Sequence, residues 1–192
     1  MSGIQHAEAP IAIAMDRLIL RLMLLILAGI LTAAMVMQYA FGEIPCPLCL
    51  LQRFAMFGCC FGIALQLRSG TSERGTGISL IFTILLLVIS VRQTLIDLFP
   101  RPGHQYVGSA ILGIHMPVWS VFIAVALLLG FAVRLTIFGS PRSNPEAGDA
   151  PMHRLDQGLG IYVVLICAIN FLSVFVQCGT GECHTSGYLL LP

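Results

Sequence analysis

Two short cysteine motifs carry the chemistry open to this chain. Residues 44–60 read IPCPLCLLQRFAMFGCC, with Cys46 and Cys49 on either side of a proline and a leucine, and residues 178–183 read CGTGEC. A Cys-x-x-Cys pair can be a metal clip, two inert small hydrophobes or a redox dithiol. Thiolate character decides between them, and it is favoured by a nearby positive charge or a helix N-terminus. Pro47 suits the first turn of a helix. Cys49 then falls near the start of that helix, where unpaired backbone N–H groups carry partial positive charge. Arg53 follows four residues later on the same helical face, so the pair is poised for thiolate chemistry. Structural zinc usually takes four Cys or His ligands. The candidates Cys46, Cys49, Cys178, Cys183 and His184 could supply them only if the C-terminal tail folds back.

The elements that must position these residues are membrane spans. With 57% hydrophobic and only 10% charged residues, the chain lies far outside the soluble range of roughly a quarter charged. A bilayer-spanning helix needs about 20 mostly apolar residues, and the stretches 22–41, 50–67, 78–98, 117–138 and 159–177 qualify. The first is too long for the apolar segment of a signal peptide and is expected to be a retained helix. The remaining connections are too short to enclose a second core. The expectation is an all-α integral membrane protein, residues 1–192 forming one transmembrane domain: a four-helix bundle plus a fifth, C-terminal helix. Residues 1–15 are expected to fray, and 68–77 and 139–158, rich in Gly, Ser, Thr or Pro, read as loops.

A net charge of +1 implies neither nucleic acid nor an acidic partner. The placement of arginine is more informative. Five alternating spans put Arg17, Arg21, Arg68, Arg74, Arg134, Arg142 and Arg154 on one side and leave Arg101 as the clear arginine of the other side's connections. The positive-inside rule makes the first side cytoplasmic, with the N-terminus inside and the C-terminus outside. Cys46, Cys49, Cys178 and Cys183 then share the outer compartment, which in a bacterial-type cell is oxidising and suits disulfides and redox thiols. Cys59, Cys60 and Cys167 fall inside spans and read as inert. Between the third and fourth spans, Tyr106, Val107, Ala110, Ile111 and Ile114 share one face of a short interfacial helix. Trp119 sits at the outer start of the fourth span, where indoles are favoured. No glycine-rich nucleotide loop or HExxH pattern competes.

Three blocks carry a family resemblance. Pro45-Cys46-Pro-Leu-Cys49-Leu-Leu-Gln-Arg53, between the first two spans, resembles the signature of the DsbB family of quinone-linked membrane thiol oxidases. Gly113-Ile-His-Met116-Pro117-Val-Trp119 is similar to the family's Met-Pro-x-Trp, and Arg92 is followed eight residues later by Pro100. The resemblance covers roughly residues 20–138. It implies a bacterial inner-membrane four-helix bundle that passes electrons from a periplasmic thioredoxin-fold, DsbA-like dithiol partner to ubiquinone or menaquinone of the membrane pool. It implies further that Cys46 and Cys49 are the quinone-proximal pair with Cys49 facing the ring, that Arg53 stabilises thiolate and quinone, and that Arg92, Met116 and Trp119 line the outer pocket.

The chain also departs from the family. The second cysteine pair belongs in the loop between the third and fourth spans, and this loop is short and has no cysteine. After Arg92 the segment runs Gln-Thr-Leu-Ile-Asp97 where relatives often carry a histidine. Topology offers a replacement for the missing pair: the fifth span delivers Cys178 and Cys183 to the face of the first pair, as a relay from the partner dithiol to Cys46 or as a local staple. Two other readings stand beside the oxidase. One is a quinone reductase resembling vitamin K epoxide reductase, whose Cys-x-x-Cys belongs near the end of a late helix. The other is a non-catalytic metal-carrying membrane subunit.

Overall fold

Five helices account for the apolar stretches in the computed structural model, which describes residues 5–69, 72–99, 110–138 and 154–179. They are α1 (Gln5–Ala40), α2 (Pro47–Ser69), α3 (Glu73–Leu98), α4 (Met116–Phe138) and α5 (Arg154–Cys178). Each contains a window long and apolar enough to cross a membrane. The protein is thus all-α and multi-pass. Its buried apolar core draws Leu24, Leu27 and Leu31 from α1, Ile63 from α2, Leu86 from α3, Leu127 and Phe131 from α4, and Val163 and Ile166 from α5.

The α2–α3 pair is packed closely enough to fix its register. A Cβ on Gly62 would lie 2.4 Å from Ser79 Oγ and 2.7 Å from the Gly75 carbonyl oxygen, so the two backbones approach as only small residues allow. Ser79 and Thr83 hydroxyls donate back to the carbonyls four residues earlier, at 3.0 and 2.7 Å. That satisfies them inside the bundle, where an unpaired polar group is costly.

Polar side chains gather at the two ends of this core. At one end the Arg134 guanidinium holds Asp16 through two hydrogen bonds of 2.5 and 3.0 Å, both residues being buried. It also donates to Gln66 Oε1 at 2.6 Å, and Arg21 grips Asp156 of α5 at 2.6 and 2.8 Å. Charges within spans survive when paired and facing the bundle.

Four local expectations are corrected. Residues 5–15 are helical, an extension of α1 whose next turn is anchored by Asp16. The Gly-Thr-Gly stretch read as loop belongs to α3, which Ser72 caps by accepting from the Gly75 N–H at 3.4 Å; Gly75 and Thr76 are buried there against Gln66. Likewise α5 begins at Arg154 rather than 159. The interfacial-helix reading also fails over 110–115. Ala110–Ile111 (β1) and Ile114–His115 (β2) form an antiparallel hairpin, with Leu112 and Gly113 at φ 54° and 76° between them. Two successive positive φ angles make a two-residue hairpin turn of the type that favours Gly, and this overrides a helical period carried by five residues. Tyr106, Val107, Cys183 and His184 lie outside the described residues, as do 139–153.

Candidate functional site

α1 ends at Ala40, and Gly42, with a φ of 68°, turns the chain while the Glu43 N–H returns to the Met37 carbonyl at 3.3 Å. Cys46 follows as the residue before α2, and Pro47 is its first helical residue. The Leu50 N–H donates to the Cys46 carbonyl at 3.1 Å, and the Cys49 N–H donates to Cys46 Sγ at 3.1 Å. Cys46 therefore acts as an N-cap with sulfur in place of the usual oxygen acceptor. Pro47, lacking an N–H, leaves one fewer donor unpaired in this turn. The same local geometry that starts the helix folds the two sulfurs together.

The two thiols are not equivalent. Cys46 is buried and Cys49 is part exposed. The hydrogen bond with Cys49, reinforced by burial, pushes the Cys46 thiol up from its ordinary pKa. Both are free thiols, whereas Cys178, buried at the end of α5, is disulfide-bonded. The Gln177 Nε2 donates to the Pro45 carbonyl at 2.8 Å. This bond brings the last turn of α5 against the residue preceding Cys46. Cys59 and Cys60 are fully buried in α2, while Cys167 is exposed on α5.

The arginines expected around the pair take different positions. Arg53 is buried and points into the junction of α1, α2 and α5, donating to Gln38 Oε1 at 2.6 Å, Asn170 Oδ1 at 3.2 Å and the Ala34 carbonyl at 3.2 Å. Its charge still acts electrostatically on Cys49. Arg92 is exposed, on the outward side of α3. Its neighbour Gln93 is buried and reaches both sulfurs, with Nε2 at 3.3 Å from Cys46 and 3.4 Å from Cys49. One residue along a helix turns about 100°, which separates the two roles. Gln93 is in turn held by Gln52 at 2.9 Å, and Gln52 by Ser120 of α4 at 3.2 Å. Met116 and Trp119, both part buried, flank Ser120 in the first turns of α4.

Sequence reasoning passed over Gln93, Gln52 and Ser120. A usable signal existed in α3: Thr76, Ser79, Thr83, Leu86, Ser90 and Gln93 recur at alternating three- and four-residue spacing, all of them buried. Inside an apolar span, that stripe of small and polar residues marks the packed face. Among the described residues, no group of three His, Cys, Asp or Glu side chains stands close enough to hold a metal ion.

These features define a multi-pass membrane protein with a hydrogen-bonded Cys-x-x-Cys dithiol at one end of its helix bundle. Residues 16–109, which run from α1 through α3, match the family described as Disulfide bond formation protein DsbB. It is also similar to the Disulfide bond formation protein B of Chromohalobacter salexigens, with 28% identity over 149 residues, covering 59% of this chain and 83% of that protein. No solved structure matches.

Proposed function

We propose that the chain is a protein-disulfide oxidoreductase of the bacterial inner membrane that reoxidises a DsbA-like dithiol partner and delivers the electrons, through Cys46 and Cys49, to a membrane quinone. The observation that carries this reading is the pair itself: a buried Cys46 and a part-exposed Cys49 at the N-terminus of α2, both contacted by the Gln93 amide. Arginine placement supports an N-terminus in the cytoplasm and a dithiol end in the periplasm.

The chemistry is thiol–disulfide exchange. A thiolate of the partner attacks the disulfide of Cys178, for which Cys183 is the proposed second sulfur. A mixed disulfide forms, the partner's second thiolate resolves it, and the tail is left as a dithiol. A tail thiolate then attacks Cys46 Sγ of the oxidised Cys46–Cys49 pair, and Cys49 leaves as thiolate. Attack by the second tail thiol restores the tail disulfide and leaves Cys46 and Cys49 reduced. Reforming their disulfide releases two electrons and two protons.

A bound ubiquinone or menaquinone supplies the acceptor for those two electrons and two protons. The donor set fits such a group. Among the described residues, Ser90 Oγ is buried without a hydrogen-bond partner, three residues from Gln93 on the buried face of α3, and an unused O–H is what a quinone carbonyl accepts. Met116 and Trp119 would offer apolar surface beside it, with Cys49 as the reacting sulfur. Arg53 would act through its charge rather than by contact.

The test is anaerobic addition of ubiquinone and menaquinone to the reduced protein, following quinol formation. Turnover with at least one of them is expected, and no turnover with either overturns the oxidase reading. The metal-carrying alternative predicts instead a tightly bound metal in the purified protein.

A further inference from the structure

The direction of the hydrogen bonds behind the dithiol has a chemical consequence. Ser120 Oγ donates to Gln52 Oε1 at 3.2 Å, Gln52 Nε2 donates to Gln93 Oε1 at 2.9 Å, and Gln93 Nε2 approaches both sulfurs at 3.3 and 3.4 Å. All three side chains are buried. A free primary amide can present either its oxygen or its NH2 group. Here the Gln93 oxygen is taken by the Gln52 donor, so the NH2 end faces the thiols. A hydrogen bond to an ionised acceptor is roughly twice as strong as one between neutral groups. An N–H held against sulfur therefore favours thiolate over thiol.

We propose that Gln93 is a thiolate-stabilising donor to the Cys46–Cys49 pair, and that Gln52 and Ser120 are positioning residues that lock its orientation. In the exchange reaction, Cys49 leaves from Cys46 carrying the electron pair of the broken S–S bond, and the Gln93 N–H groups meet that charge as it develops. Three helices contribute: α4 orients α2, α2 orients α3, and α3 acts on the sulfurs. The inference deepens the proposed function and rests on the pair being redox-active. Among the described residues, the other charged or titratable groups at this end of the helices are Tyr39 on α1, Glu43 before the pair, Arg53 on α2, Arg92 and Asp97 on α3, and His115 ahead of α4, with Cys178 of α5 held in a disulfide. None of them changes in the comparison below.

The experiment uses the full-length protein in detergent, reduced and anaerobic, with neither quinone nor partner. Iodoacetamide labelling of Cys49 is followed by peptide mass spectrometry from about pH 5 to pH 10, in the wild type and in Gln93→Leu, Gln93→Glu and Gln52→Leu. Gln93→Leu should move the labelling midpoint up by about one pH unit, which slows labelling about tenfold below the midpoint. Gln93→Glu, isosteric but an acceptor, should move it at least as far, and Gln52→Leu should fall between. A packing role alone would leave the isosteric Glu variant on the wild-type curve, and that result overturns the inference. If the Gln93 variants fail to fold, Gln52→Leu decides, because it removes the orienting donor and keeps the Gln93 amide itself; an unshifted profile there is equally fatal. Shifted profiles without quinol formation would sink the oxidase reading and leave this inference standing. Quinol formation with unshifted profiles would do the reverse.

Discussion

Replacing Gln177 with leucine should separate the two halves of the proposed electron path. Gln177 is fully buried, and its Nε2 donates to the Pro45 carbonyl at 2.8 Å, immediately before Cys46 and beside Cys178 in sequence. Leucine leaves that carbonyl unsatisfied, a loss of about 1–3 kcal/mol. Part of the loss is offset, because Gln177 Oε1 has no hydrogen-bond partner among the described residues and the substitution removes that orphan acceptor too. A net weakening of about 1–2 kcal/mol lowers the ratio of docked to undocked last turn roughly 5- to 30-fold. The rest of α5 stays anchored through Ser173 to Gln38 at 2.5 Å and Asn170 to Arg53 at 3.2 Å, so the change is local. Single-turnover quinol formation driven by a DsbA-like dithiol should slow, by at most that factor. Quinol formation from protein already reduced at Cys46 and Cys49 should keep its rate, since that step does not pass through the tail. An unchanged partner-driven rate in a folded variant would refute the idea that α5 delivers Cys178 to Cys46.

Two further outcomes are expected. At neutral pH, alkylation of the reduced protein should reach Cys49 well before Cys46, because the hydrogen bond with Cys49 and burial raise the Cys46 pKa; Cys46 should react only when the pH is taken above the ordinary thiol range, and equal labelling at pH 7 by peptide mapping would contradict the asymmetry. Asp16→Ala should destabilise the protein by about 3–5 kcal/mol by leaving Arg134 buried without its carboxylate, read as a fall in thermal midpoint in detergent. The double variant with Arg134→Met should recover much of the loss, and no recovery would mean that the pair does more than neutralise itself.

How much of this was legible in the sequence depends on how local each feature is. Hydropathy located five helices because a membrane span is an unbroken local run, and Pro47 marked the start of α2 for a reason internal to one turn. The boundaries at Glu73 and Arg154 were missed because glycine and threonine inside a bundle serve close packing, as Gly75 and Thr76 do, and composition alone reads them as loop. The hairpin at 110–115 was missed because backbone φ at Leu112 and Gly113 outweighed a short period.

The site divides along the same line. Its sulfur geometry was readable, since Cys46 and Cys49 are three residues apart at a helix start and meet whatever the rest of the chain does. The surroundings of the sulfurs were not readable. Which α3 side chain faces them depends on how deeply α2 and α3 interlock at Gly62 and Gly75, and a rotation of one residue exchanges Arg92 for Gln93. The direction taken by Arg53 depends on α5 supplying Asn170 from 117 residues away. The sequence by itself determined the spans and the dithiol, because hydropathy and turn chemistry act over a few residues. Tertiary structure alone decided which polar groups attend the sulfurs, because in an apolar bundle each buried donor goes to the acceptor that helix register sets opposite it.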